Sequence, residues 1–343
     1  MRVTLLDLDA TPSLINSTPV NSLLKPFKRS ILMFLFGAIF IAGCTSDNNA
    51  TITVDTRDTI KIATWNIYWL TNNSFNVRTA DDYALLNTYA DELNADVVAL
   101  EEAENATYAE KVFGPSYDYY FSNRSGGAGT QRVGFAVKKD SGITVESAED
   151  YVDLDVGSVR YGKDLTISRN NKSIRLLAVH LKSGCFELPL DATSIANMPT
   201  ATTTEQDLKN ACTKLANQKS PLEYWVDARA SEGLPFMVLG DFNRRFEVED
   251  KNGYSEEQGL WATIDDPGSA SPYEDLTRIN DNLSPQCWNG HFSDYIDHII
   301  VDPRAKDMVV NNSFNELVYA ESPYSTYYQH LSDHCPISVL VSL

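Results

Sequence analysis

The stretch Pro235-Phe236-Met237-Val238-Leu239-Gly240-Asp241-Phe242-Asn243 constrains the fold of this chain more than any other. Phe236 to Leu239 is a short, continuous apolar run, which reads as a buried strand. It stops at Gly240. A carboxylate and a carboxamide then follow at i and i+2, and strand alternation puts Asp241 and Asn243 on one side. An apolar strand that delivers two oxygen-bearing side chains at its end is a common way to build a site. The competing reading is a capped turn, since Asp and Asn favour turns. Other strand ends must decide between the two.

Taken in order, Thr59 to Trp65 alternates and is rich in β-formers, predicting a strand that ends at Asn66. Asp81 to Leu93 places Tyr83, Leu85, Leu86, Tyr89, Ala90 and Leu93 on one helix face. Asp96 to Leu100 predicts a second buried strand, ending in Glu101-Glu102. Tyr117 to Ser122 and Val133 to Lys138 predict strands around the Gly-rich loop Asn123 to Thr130. Leu165 to Ser168 and Ile174 to Leu181 read as a strand pair whose second member carries His180, with Lys182 beyond it. Ser183 to Thr204 has little periodicity and reads as a surface excursion, and Glu205 to Arg229 as a helix. Lys251 to Pro285 is loop-rich. Tyr295 to Val301 and Cys335 to Leu343 read as strands, while Val309 to Leu317 stays ambiguous. This alternation suits an α/β architecture of two sheets packed face to face with helices outside. With 343 residues, 43% of them hydrophobic, the chain can bury a core of that size.

The polar residues at the strand ends form a set. TWN at 64–66, ALEEAEN at 99–105, AVHLKSG at 178–184, LGDFN at 239–243, YIDHIIV at 295–301 and LSDHCP at 331–336 resemble, in order, the motifs of the endonuclease/exonuclease/phosphatase superfamily, the DNase-I-like fold. The resemblance covers roughly residues 60 to 343. It implies a four-layer α/β sandwich of two packed mixed β-sheets flanked by helices. It also implies hydrolysis of a phosphate ester with a divalent cation, usually Mg²⁺, with Mn²⁺ or Ca²⁺ as alternatives.

Carried over residue by residue, the resemblance makes Glu102 the primary metal ligand, assisted by Asn66 and Asp333. Glu102 is preferred to Glu101 because the family's Glu stands just before an apolar residue, here Ala103. Asp241 and Asn243 position the attacking water and hold phosphate oxygens, Asp297 orients His334, and His180 contacts the phosphate from the opposite side. The chemistry suits these types. Mg²⁺ takes hard oxygen ligands and offsets charge on the transition state. A histidine backed by a carboxylate has a fixed tautomer and raised basicity. Asp241 and His334 compete for the role of general base. Neighbouring strand residues face opposite ways, so only one of Asp297 and His298 faces the site. His291, His298 and His330 read as surface or loop residues. Arg132, Lys182 and Arg244 are candidates for substrate binding, with Gln131 beside Arg132 as a further candidate contact to phosphate and Arg245 beside Arg244 as further groove lining; two adjacent arginines on a loop are as often simply solvated.

Residues 1–44 read as a leader rather than fold. Lys25, Lys28 and Arg29 form a basic region, and Ile31 to Gly43 is an apolar run too short to span a bilayer. It ends Ile41-Ala42-Gly43-Cys44, which resembles the lipobox of bacterial lipoproteins, so Cys44 is the expected lipidation site. Residues 1–24 form an extension before the basic region, residues 45–58 a tether, and residues 59–343 the catalytic domain. The expectation is an exported protein, lipid-anchored to the bacterial cell envelope at the outer membrane or periplasmic face. A monomer is expected.

Four further cysteines remain, and an even count in an exported chain predicts two disulfides. If Asp297 supports His334, as the resemblance implies, Cys287 and Cys335 must be neighbours. Cys185 and Cys212 bracket the excursion after His180. The expected pairs are therefore Cys185–Cys212 and Cys287–Cys335.

Function is less constrained than fold. The first reading is a phosphodiesterase of nuclease type acting outside the cytoplasm on nucleic acid. The second is a phosphatase or lipid-headgroup phosphodiesterase of the sphingomyelinase or inositol-phosphate type, for which Trp261, Trp288 and Tyr324 to Tyr328 would supply aromatic contacts. The third is an inactive binding module on the same fold, against which the complete polar set argues. The formal net charge of −19 disfavours tight, non-specific binding to a polyanion. It does not exclude a nuclease, whose local field matters more than its sum.

Overall fold

A computed structural model describes residues 58–71, 76–266 and 275–343. The expected leader, Cys44 and nearly all of the expected tether lie outside the described residues. The first half of the described chain runs β1 (Thr59–Leu70), α1 (Ala80–Leu93), β2 (Val97–Ala103), α2 (Ala106–Phe113), β3 (Tyr117–Phe121), β4 (Arg132–Lys138), β5 (Thr144–Tyr151), β6 (Gly162–Arg169) and β7 (Lys172–His180). Then come α3 (Ala192–Ala196), α4 (Thr203–Glu232), β8 (Phe236–Asp241) and α5 (Phe246–Asn252), and later β9 (Thr277–Arg278), β10 (Asp297–Val301), β11 (Asn315–Glu316) and β12 (Ile337–Ser342).

The strands form two mixed six-stranded sheets, ordered β11-β12-β1-β2-β4-β3 and β5-β6-β7-β8-β10-β9. Alternation explains how they pack. Ile60 and Ile62 of β1, Val97 and Ala99 of β2, Ile174, Leu176 and Ala178 of β7, Met237 and Leu239 of β8, and Ile299 and Val301 of β10 share one buried cluster between the sheets. The intervening residues face outward: Ala63, Val98 and Leu100 pack with α1 and α2, and Leu177, Val179, Phe236 and Val238 with α4. Each fully buried Leu, Ile or Phe stabilises the fold by about 1.5–3 kcal/mol relative to leaving it exposed. The result is the four-layer sandwich expected from the sequence.

Local signals set the element ends. Thr79 and Asp82 form a capping box that starts α1, and Thr202 and Glu205 another that starts α4. Gly240 has φ +139°, and a Cβ there would lie 2.1 Å from the Val179 carbonyl, so the parallel pairing of β7 with β8 requires glycine at that point.

The disulfides join Cys185 to Cys212 and Cys287 to Cys335, with Cα atoms 4.9 and 5.6 Å apart, in the expected pairing. The first ties down the excursion from Ser183, whose only helix among the described residues is α3.

Several expectations change. β1 runs past Asn66 to Leu70, α2 and β5 form where the sequence pattern predicts no element, and Val309 to Leu317 forms a single bridge from Val309 to Val341 followed by β11. β5 (TVESAEDY) is an acidic edge strand with no apolar run to mark it.

Candidate active site

On the inner face of five strands, or just beyond, the apolar alternation gives way to polar residues at the same end of the sandwich. Thr64 and Asn66 continue the Ile60–Ile62 row of β1. Glu101 continues Val97–Ala99, His180 continues Leu176–Ala178, and Asp241 continues Met237–Leu239. Asp297 opens β10 ahead of Ile299–Val301. The hydrophobic sandwich therefore holds the polar groups open towards a cleft of about 440 Å³, lined by Glu102, His180, Asp241, Asn243, Asp297, Asp333 and His334 among others.

Glu102 reaches this cleft through a β-bulge. The pairing of β2 with β4 shifts between Leu100 and Ala103, so Glu101 and Glu102 together oppose Val133. Glu102 takes a left-handed φ of +60°. Without the bulge, alternation would send Glu102 to the helix-covered face. With it, both carboxyls turn inward. Glu102 accepts from the Trp69 N–H at 3.0 Å and from the Gln131 amide. Glu101 is fully buried and accepts from Thr64 Oγ1 at 3.0 Å. Burial first, then Asp297 and Asp241, push the Glu101 carboxyl well above the usual range.

Asp241 is the hub. Asn66 Nδ2 donates to its Oδ2 at 3.0 Å and the Asn243 N–H to its Oδ1 at 2.8 Å. His180 Nε2 lies 3.4 Å and His334 Nε2 3.8 Å from Oδ2. Asn243 sits at φ +51° and donates Nδ2 to the Leu181 carbonyl at 3.2 Å. Site and turn thus coincide at Asp241–Asn243: the turn geometry is what presents the two side chains. Burial, partly offset by His334, pushes the Asp241 carboxyl up to about 7.

His334 Nδ1 lies 2.6 Å from Asp297 Oδ2, bridging the two sheets. Burial acts to lower the His334 pKa, but Asp297, Asp333 and Asp241 outweigh it and hold the imidazole well above its ordinary range. His180 is the reverse: burial first, then Arg160 and His334, drive it well below that range, so it is neutral. Its Nδ1 is buried without a hydrogen-bond partner.

The segment carrying Asp333 and His334 is clamped from several sides. Ser332 Oγ donates to the Asn66 carbonyl at 2.6 Å and accepts from the His334 N–H at 3.0 Å. Trp288 Nε1 donates to the Ser332 carbonyl, and Tyr319 Oη to the His334 carbonyl. Arg78 donates to the carbonyls of Ile67, Tyr68, Trp69, His330 and Leu331, stitching the end of β1 to this segment. None of these supports has a local sequence signature.

Glu102 and Asp333 are the hard oxygen donors a divalent cation would take. Burial pushes both carboxyls up, and the negative charge of Asp333 adds to the effect on Glu102, so a cation placed between them would favour the charged form of each. Asn66 is buried behind Asp241, and its Oδ1 accepts from the Tyr68 N–H at 3.1 Å, leaving one lone pair. Asp241, Asp297 and His334 also bring ligand-type atoms within 4.8 Å of one another. Cys287, Glu316 and Cys335 do likewise, but both sulfurs are committed to the disulfide.

Of the substrate-binding candidates, Arg245 lines the cleft, whereas Arg132, Lys182 and Arg244 do not. Arg244 is fully buried, paired with Glu249 and donating to the Cys185 carbonyl at 2.8 Å, so it braces the core. Arg132 donates to the carbonyls of Glu104 and Arg124 and holds the Gly-rich loop. Lys182 gives its ammonium to the Ser183 carbonyl at 2.7 Å. His298, expected at the surface, is fully buried and bonds the Arg244 carbonyl at 2.9 Å, and burial holds its pKa down to about 3. His330 is exposed and pairs with Asp82, and His291 is exposed and stacks on Tyr324. Asp297, not His298, faces the site.

A family model described as "Endonuclease/Exonuclease/phosphatase family" matches residues 63–334. No curated protein sequence matches the chain. Among solved structures, a humanized D. rerio TDP2 carrying 14 mutations is similar at 16% identity and TM-score 0.52, over 83% of this chain and 100% of that one. D. rerio TDP2 complexed with a single-strand DNA product is similar at 15% identity and TM-score 0.51, over 82% and 98%. The endonuclease/exonuclease/phosphatase from Bacteroides vulgatus is similar at 16% identity and TM-score 0.51, over 83% and 99%. These likenesses establish the fold, and the family match spans every strand end in the cleft. The chain belongs to the endonuclease/exonuclease/phosphatase family and is a metal-dependent phosphoesterase.

Proposed function

We propose that this cleft hydrolyses phosphodiesters with Mg²⁺, in an exported protein anchored through Cys44. The observation that carries the reading is the convergence of Glu102, Asn66, Asp333 and His334 from one sheet with His180, Asp241, Asn243 and Asp297 from the other. Glu102 and Asp333, with Asn66 behind, would hold the cation, which when bound offsets charge on the phosphoryl oxygens.

The remaining residues have distinct work. Asp241, with a pKa near neutrality, is suited to take the proton of an attacking water. His334 is held as a cation by Asp297 and is suited to donate to a phosphoryl or leaving oxygen. This division favours Asp241 over His334 as base. Neutral His180 supplies an N–H to the same Asp241 oxygen or to phosphate, and Asn243 shapes the turn that holds Asp241.

The single-strand DNA product bound by D. rerio TDP2 supports a nucleic-acid phosphodiester as substrate. A lipid headgroup is the second reading. It is favoured by the stacked Tyr324–Tyr328 pair, with Tyr68 edge-on to Tyr328 and His291 stacked on Tyr324. Trp288 is buried and Trp261 is engaged by Arg278, so neither serves that role.

The test is a substrate panel of bis-p-nitrophenyl phosphate, single-stranded and plasmid DNA, RNA, sphingomyelin and inositol phosphates, run with Mg²⁺, Mn²⁺ and Ca²⁺. Activity should vanish in EDTA and return with Mg²⁺. Full activity in EDTA would overturn the metal assignment, and hydrolysis of phosphomonoesters alone would overturn the phosphodiester reading.

A further inference from the structure

Arg160 stands just before β6, whose Lys163 pairs with Ala178 of β7, so the entry to β6 runs beside His180. Its guanidinium donates to Gln131 Oε1 at 3.0 Å and to the Leu181 carbonyl at 3.4 Å. Gln131 in turn donates to Glu102. Among the described residues no carboxylate lies within ion-pairing distance of Arg160, although Glu102 and Asp241 are close enough to act on its charge. Other arginines have carboxylate or carbonyl partners: Arg244 pairs with Glu249, Arg175 with Asp164, Arg278 with Asp250 and Asp281, and Arg78 holds backbone carbonyls, although Arg244 Nη2 and Arg278 Nη1 stay unpartnered inside the core.

A half-buried guanidinium that engages only two neutral acceptors leaves donors uncommitted. An anionic ligand would supply the counter-charge it lacks. The groups around it belong to the cleft: His180, whose pKa it depresses, and Glu102, to which Gln131 links it. Guanidinium is the side chain best matched to two oxygens of a phosphoryl group at once.

Resting on the phosphoesterase reading of this cleft, we propose that Arg160 is a further catalytic residue, whose guanidinium binds non-bridging oxygens of the scissile phosphate from the His180 side, held in place by Gln131. His334 lines the same cleft, so Arg160 and His334 would share the oxygens of the phosphoryl group. The donors are already fixed by Gln131 and Leu181, which favours stabilisation of the transition state over simple ground-state binding.

The experiment uses the full chain and Arg160→Gln, Arg160→Lys and Arg160→Ala. The first readout is calorimetric binding of inorganic phosphate in the presence of Mg²⁺, which does not depend on turnover of any substrate. Arg160→Gln should weaken phosphate binding at least tenfold. The second is hydrolysis of bis-p-nitrophenyl phosphate, where kcat should fall about a hundredfold with a smaller change in KM. Arg160→Lys should recover only part of the loss, and added guanidinium ion should partly rescue Arg160→Ala, which a purely structural role would not allow. Phosphate binding equal to wild type in the Arg160→Gln protein, or no phosphate binding by wild type, overturns the proposal. If Arg160→Gln fails to fold, Arg160→Lys decides the matter: kcat and phosphate affinity both at wild-type level overturn it. Wild type that binds phosphate through Arg160 but hydrolyses no ester in the panel would instead sink the phosphoesterase reading.

Discussion

Asp241 illustrates how a single side chain acquires its chemistry from surroundings that lie far away in sequence. Asn66 comes from 175 residues upstream to donate to it, and the Asn243 amide donates from two residues on. Replacing Asp241 by Asn keeps the shape and removes the base. Replacing His334 by Ala removes the cation that Asp297 orients. Each change should lower kcat by about a thousandfold, the effect of losing about 4 kcal/mol of transition-state stabilisation. Thermal melting should show both variants folded. Retention of more than a tenth of wild-type kcat by either would mean that its role is assigned wrongly.

Residues whose role depends on strand position were legible in the sequence. Asp241, His180 and Asp297 each extend an apolar alternation that fixes which way they face. Residues whose role is to hold backbone were not: Arg78, Ser332 and Tyr319 bind carbonyls or amides brought close only by folding. Arg244 and Arg245 make the same point. They are adjacent and identical in type, yet one is sealed against Glu249 in the core and the other pairs with Glu187 near the surface. Local pattern cannot separate them.

At the level of elements, the end of β1 and the segment before β12 behave as one unit. Tyr68 and Trp69 both lie in the left-handed region, with φ of 41° and 51°. For non-glycine residues this conformation costs of order 1 kcal/mol each. Arg78 holds it by capturing the carbonyls of both residues and those of His330 and Leu331. Arg78→Ala should therefore lower the melting temperature by several degrees, the shift that about 1–3 kcal/mol produces in a domain of this size. Activity should fall more than the stability change explains, because Trp69 also donates to Glu102. An Arg78→Ala protein with wild-type Tm would show that the clamp is dispensable.

The elements themselves were read unevenly. Strands buried on both faces announced themselves through apolar runs, and α1 and α4 through capping and periodicity. α2, only 8 residues long, offered too few turns for a period to emerge. The bulge in β2 was invisible, because nothing in Leu100-Glu101-Glu102-Ala103 states that the strand slips a residue there. The preference for Glu102 over Glu101 came from family resemblance, and the bulge is its physical basis.

For the whole molecule, the prediction concerns where it works. The Ile41-Ala42-Gly43-Cys44 pattern motivates membrane attachment through lipid on Cys44. One acyl chain holds a protein only marginally, so stable retention needs the several chains that lipoprotein processing adds. Expressed in a Gram-negative host, wild type should fractionate with membranes and Cys44→Ser should not. Equal solubility of the two would dismiss the anchor. Both disulfides suit an oxidising compartment.

The division of the site between the sheets has a further consequence. One sheet is built from the two ends of the described chain, and the other from its middle. Glu102, Asp333 and His334 belong to the first, and His180, Asp241 and Asp297 to the second. A fragment, an incomplete translation product or a chain whose sheets have yet to dock therefore holds half of the machinery and none of the reaction. The sandwich works as an interlock: the two halves of the cleft come together only when both sheets have docked.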